Sequence, residues 1–415
     1  MRRLLGGALI GGVLYFWLFI PSVNGFYRVE MVGWWVDSVS WLLVVLVFFI
    51  ISLRVFLCQG ENLVYHGKIL FTLLIFLVIR FLLDSFLGFF IFFELSVIPI
   101  LFLILGWGAQ PERIVAGSYL FLYTFLGSLP LLIKILYLRR VVGRLSFRFY
   151  ELSFIHISGG VFRLFWVLAF LIKLPMYGVH LWLPKAHVEA STIGSMILAG
   201  VLLKLGGYGL YRLGYFCWKV ERWGVCGWVI VSLVVTSYIC FRQHDMKSMV
   251  AYSSITHMGV VILGFGGGLG IRGGVLIMIS HGIIRRGLFL GVGEWYKNIS
   301  RRSVLLCGGG VLISPLFIFL WILLLRGKMS IPPSFKFLRE LITIIWLGRF
   351  GLLLWGRICV MIFLVGLYRI YLYIIVRHGK KKNFVNVKVR LLRNYLLFVH
   401  LIFSYIWIFF LKNWV

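Results

Sequence analysis

Two ionisable side chains stand inside apolar stretches: Glu94 in FFIFFELSVIPILFLILGW and Lys173 in WVLAFLIKLPMYGVHLWLPKAHVEA. A charge at the centre of a bilayer costs from a few to roughly 10 kcal/mol or more, so residues of this kind are kept for a task. An acid buried alone takes up a proton, whereas one beside a lysine stays ionised. Desolvation and a neighbouring carboxylate pull a buried lysine in opposite directions. A Lys–Glu pair that can separate is therefore a two-state proton switch. Lys204, in LAGVLLKLGGYGLY, is a second embedded amine. His257 (AYSSITHMGVVILG) and His281 (LIMISHGIIRRGLF) lie on apolar segments. One core histidine reads as packing, but two on adjacent spans read as a relay, because imidazole titrates near neutral pH. Glu340, just after SIPPSFKFLR, is open between a relay acid and a helix-start acid favoured by the dipole. His180, His187 and Glu189 could be mistaken for metal ligands, but their spacing matches no standard zinc motif. The segment HLWLPKAHVEAST instead reads as a loop leading into a helix capped by Ser191 or Thr192.

The elements that carry these residues must cross a membrane. Of 415 residues, 62% are hydrophobic and only 13% charged, with mean hydropathy +1.02. Apolar runs long enough for the hydrocarbon core recur from Leu4 to Phe410, which excludes a soluble domain. The sequence predicts an all-α polytopic protein of about 13 (12–14) transmembrane helices. It forms one integral membrane domain over residues 1–415, with multiple passes. The start, MRRLLGGALIGGVLYFWLFIPS, reads as a first span at 4–20 rather than a cleaved signal. Pro99, Pro130, Pro175 and Pro315 are expected to break spans, and broken helices beside buried charge are a transporter feature.

The net charge of +30 fits loop and helix-end clusters that fix orientation and touch anionic lipid heads. Arg139-Arg140-Arg144-Arg148, Arg301-Arg302 and Lys380-Lys381-Lys382 are such clusters. No solvated basic face exists for nucleic acid. Six scattered cysteines carry no metal or disulfide spacing and read as packing residues.

The segment Lys173 to Arg212, KLPMYGVHLWLPKAHVEASTIGSMILAGVLLKLGGYGLYR, closely resembles the chain 4 family of NADH-ubiquinone oxidoreductase, the antiporter-like membrane subunits of respiratory complex I. Phe92 to Thr124, Arg242 to Gly259 and Ile331 to Leu341 resemble it as well. The resemblance implies an antiporter-like bundle with a proton-translocating core over residues 84–341. It also implies other membrane-arm subunits as partners, and no cofactor bound directly: NADH and ubiquinone are used by the whole complex. By matching position, Glu94 and Lys173 are the paired switch and Lys204 the central lysine. His257 and His281 are then bridging histidines, and Glu340 the exit-side acid. Short loops and WGAQPER favour the mitochondrial form, in the inner membrane. A stand-alone multi-subunit cation/proton antiporter is the alternative, and a scaffold without transport a third reading.

Ser191 replaces the Pro expected after HVEA, and four further positions depart from the family. Arg285 and Arg286 stand where small hydroxyl residues are usual, and Lys336 and Arg339 where Asn and a small residue are usual. Some animal mitochondrial codes read AGA and AGG as serine and AAA as asparagine, which would account for all four. The competing expectation is a lipid-facing or partner-paired basic patch.

Overall fold

At bilayer depth each backbone N–H and C=O must be satisfied within the protein, which leaves helices as the means of crossing for a chain of this composition. The computed structural model describes residues 29–31, 34–57, 63–108, 110–143, 146–147, 160–299, 302–308, 314–332, 334–348, 352–378 and 391–406. The expected span at 4–20, Arg144, Arg148, Arg301, Lys380, Lys381, Lys382 and Cys58 lie outside them, as does the Cys217 side chain. Apart from a short antiparallel hairpin, β1 (Val29–Met31) and β2 (Trp34–Val36), the described elements are helical. Among the described residues seven apolar segments have the length and composition to cross a membrane, so this is a multi-pass α-helical membrane protein.

Two compact units are distinguished. The first holds the hairpin, α1 (Ser38–Leu57), α2 (Leu63–Leu82), α3 (Phe86–Leu95), α4 (Val97–Trp107), α5 (Arg113–Val142) and α6 (Gly160–Lys173). Here α1 packs on α2, α2 on α3 and α4, and α5 on both α4 and α6. A short helix α7 (Trp182–Glu189) follows α6 in sequence. The first unit then resumes with α8 (Thr192–Ile197), a π-helical turn at Leu198–Leu202, and the start of α9 (Leu203–Phe241). The apolar segments Thr192–Arg212 and Gly224–Phe241 are each long enough to cross a membrane.

The second unit contains the rest of α9, α10 (Met246–Gly264), α11 (Leu269–Ile299), α12 (Pro315–Lys328), α13 (Phe335–Leu347), α14 (Leu352–His378) and α15 (Leu391–Ile406). Its hub is α11, packed by α10, α12, α13 and α15. Within Leu269–Lys297 an 18-residue stretch is 100% buried, against 33% of the corresponding stretch within Trp355–His378 in α14.

Three local expectations change. HLWLPKAHVEAST is not simply a loop: α7 forms over Trp182–Glu189, because Pro184 falls in its first turn, where a missing N–H costs nothing. Pro315 opens α12 rather than breaking a span, the position at which its fixed φ suits a helix. Pro130 sits inside a continuous α5. Ser191 caps α8 as expected, its hydroxyl accepting from Gly194 N at 3.2 Å. Of the described cysteines, Cys240 and Cys307 are buried packing residues, while Cys359 is exposed.

Candidate functional site

Proline chemistry sets the first half of the site. Pro99 has no N–H to offer Leu95 and its ring crowds that carbonyl, so the span Phe86–Trp107 is interrupted at Ser96. Pro175 disfavours helix in the residue before it, and α6 ends at Lys173. Glu94 and Lys173 therefore both stand at helix ends. Lys173 Nζ donates to Phe93 O at 2.9 Å and to Glu94 Oε1 at 3.2 Å. An ammonium on the last carbonyls of a helix is favoured by the dipole. The Lys173 side chain is 1% exposed and that of Glu94 21%, so the acid is partly accessible and the amine is not.

Lys204 lies one residue past the start of α9, directly after the π turn. Such turns, rare and concentrated at functional sites, displace backbone carbonyls from the regular ladder. The Lys204 ammonium donates to one of them, Ala199 O. Lys204 is 1% exposed, so this amine sits in the interior of the first unit.

Sequence reasoning missed Arg80. It is buried in α2, lies 4.4 Å over both the Phe89 and Phe93 rings, and donates from Nη2 to Leu205 O at 3.1 Å. Its signal was legible, a cation in FLVIRFLL, by the same logic that found Lys173. Asp37 and Arg212, a buried ion pair, carried no such signal, since each lies near the end of an apolar run.

The second unit gathers His257, His281 and Glu340. His257 on α10 and His281 on α11 have ring centroids 6.0 Å apart. Nδ1 of His257 is 3.5 Å from Glu340 Oε1, and Lys336 Nζ is 2.8 Å from the same oxygen. Glu340 is the sixth residue of α13, beyond its first turn, so the helix-start reading of this acid fails. Ser330 donates its hydroxyl to Glu340 Oε2. To do so it adopts φ +59, a left-handed conformation that costs a non-glycine residue about 1–3 kcal/mol.

The same core holds a crowd of cations. Lys336 Nζ lies 3.3 Å from His257 Nε2, which Arg369 also contacts. Arg285 and Lys328 both donate to Ser253 Oγ. Arg285, Arg286, Lys336 and Arg339 are all buried, so none of the four faces lipid. His180 and His187 are packing groups, the first receiving Gly178 N at 3.3 Å and the second stacked 4.6 Å from Phe289. Glu189 is buried at the end of α7.

Apolar helices broken beside a buried amine and its carboxylate define a membrane subunit of the antiporter-like kind. Residues 84–370 match the NADH:quinone oxidoreductase/Mrp antiporter transmembrane family. A chain from Ceratitis capitata called NADH-ubiquinone oxidoreductase chain 4 is 41% identical over 358 residues, 83% of this chain and 79% of that one. Its namesake from Scyliorhinus canicula is 37% identical over 347 residues, 80% of this chain and 74% of that one. The chain belongs to this family and, within it, to the NADH-ubiquinone oxidoreductase chain 4 subunits. Its fold is that of a chain in respiratory complex I from Thermus thermophilus, with TM-score 0.86 at 21% identity, covering 98% of this chain and 91% of that one. A chain of the Mrp complex from Dietzia sp. gives 0.81 at 18%, covering 92% and 76%.

Proposed function

We propose that this chain is a core membrane-arm subunit of NADH:ubiquinone oxidoreductase that conducts protons across the membrane. Residues 84–341 form its translocating core within an integral membrane domain spanning 1–415. Glu94 and Lys173 act as the switch, Lys204 as the central amine, His257 and His281 as the bridge, and Glu340 as the exit-side acid. The observation that carries this reading is Lys173: a buried ammonium held at once by a helix-end carbonyl and by a partly accessible carboxylate. When the pair is closed the lysine holds its proton. When it opens, desolvation favours release. Electron transfer from NADH to ubiquinone, carried out by the other subunits, supplies the energy. The assembly sits in the mitochondrial inner membrane, its basic helix ends against anionic lipid. Identities of 37–41% to chain 4 subunits favour this over a stand-alone cation/proton antiporter.

The test is Lys204→Ala in the assembled complex. Proton transfer by a positioned side chain contributes about 10²–10⁴-fold. The variant is expected to assemble and to lose NADH-driven pumping at the low end of that range or beyond. Unchanged pumping would support a scaffold without transport.

We propose as well that positions 285, 286, 336 and 339 carry serine or asparagine in the working protein, through the codon readings noted above. What supports this at 285 and 336 is charge balance: Arg285, Lys328, Lys336 and Arg369 converge near Ser253 and His257, where Glu340 is the paired carboxylate among the described residues, and Arg286 and Arg339 are buried in the same unit. Each buried ion costs several kcal/mol, against a total stability of about 5–15 kcal/mol. Lys173 and Lys204 do not enter this argument. Peptide mass spectrometry decides it. Trypsin is expected to pass over these four sites, and fragments ending at Arg285, Arg286, Lys336 or Arg339 would refute the reading.

A further inference from the structure

Downstream of Lys204, the helix that carries it is tied to two other elements by an ion pair that the relay does not use. Tyr208 and Arg212 follow Lys204 at intervals of four residues and so share its face of α9. Arg212 Nη1 donates to Asp37 Oδ2, and its Nε donates to the Tyr208 hydroxyl at 2.8 Å. That hydroxyl spends its own proton on Phe81 O, at 3.1 Å, in the last turn of α2. The guanidinium also lies 4.5 Å over the Trp35 ring of β2. Asp37 is fixed in turn, its N–H donating to Ser40 Oγ at 2.8 Å while its carbonyl receives Trp41 N at 2.9 Å at the start of α1. Trp35, Asp37, Ser40, Phe81 and Tyr208 are buried, and the Arg212 side chain is 5% exposed.

We propose that Asp37, through Arg212 and Tyr208, is a positioning residue for Lys204, setting the rotation and height of α9 against the π turn. A slip of α9 by one residue turns a side chain through about 100° and moves it about 1.5 Å, enough to swing the ammonium away from Ala199 O. The π turn makes such a slip easy, because an inserted residue can migrate along a helix unless something beyond it holds the register. Apolar contacts tolerate sliding. A charged, directional pair whose guanidinium also grips Tyr208 does not, and register is the best-attested use of a buried pair. Tyr208 is no proton carrier here: its hydrogen is committed to Phe81 O while Arg212 occupies its lone pair.

This inference rests on Lys204 being a relay group, and the experiment separates the two. Asp37→Asn and Arg212→Lys are introduced into the assembled complex alongside Lys204→Ala. Proton pumping per NADH oxidised and amide exchange over residues 198–204 are then measured on equal amounts of assembled enzyme. The expected result is a several-fold drop in pumping and faster exchange in that segment for both pair variants, with partial recovery in the exchanged double variant Asp37→Arg/Arg212→Asp. Pumping and exchange unaltered in Asp37→Asn, while Lys204→Ala abolishes pumping, would overturn the positioning role alone. Full pumping by Lys204→Ala would overturn the relay and this role with it. Failure of both pair variants to assemble would make the pair a folding anchor and equally overturn the proposal.

Discussion

At the scale of single residues, the Glu94–Lys173 pair separates stability from chemistry. Removing one partner of a buried pair leaves an uncompensated charge and costs about 3–5 kcal/mol, whereas replacing both with apolar groups is often neutral. Glu94→Gln is therefore expected to lower the unfolding temperature of the complex and to cut pumping. The double variant Glu94→Gln/Lys173→Met should recover the temperature but not the pumping, as read by calorimetry and proton uptake on one preparation. Recovery of both would mean that the pair only holds the fold. These two residues were legible because apolar neighbours on both sides leave a charge no innocent explanation. Arg80 offered the same signal within α2. Asp37 and Arg212 could not be found that way, because their contact joins positions 175 apart that each read as the polar end of a span.

At the scale of elements, proline gave a local and partly ambiguous signal. Pro99 and Pro175 break helices as their chemistry requires, and those breaks put Glu94 and Lys173 at helix ends. Pro184 and Pro315 use the same missing N–H to begin helices instead. Which of the two happens depends on what packs around the turn. The π turn before Lys204 had no sequence signature at all, since its extra residue is accommodated by tertiary contacts. Close packing around α9 is also testable. A Cβ at Gly209 would stand 2.1 Å from the Phe170 ring of α6, so Gly209→Ala forces that ring to move. Overpacking of this kind costs about 1–3 kcal/mol. The variant is expected to reduce both thermal stability and pumping, and an unchanged melting curve would show that α6 yields freely.

At the scale of the whole molecule, composition alone settled the class. A chain with 62% hydrophobic residues and 13% charged ones has nowhere to bury its surface except in lipid and against itself. What composition could not supply is which helices lie at the centre. Lys204 in the first unit and His281 in the second both lie on deeply buried apolar stretches, so helices buried within each unit bear titratable groups. A protein that merely anchored its neighbours would gain nothing from this and would bear the desolvation cost. The account is tested most directly by NADH-driven proton uptake into vesicles containing the assembled complex with Lys173→Ala. NADH oxidation by a water-soluble acceptor is measured in parallel. The expected result is acceptor reduction at the unmodified rate with proton uptake lowered about 10²-fold or more. Uptake equal to that of the unmodified complex would contradict a proton path through this chain.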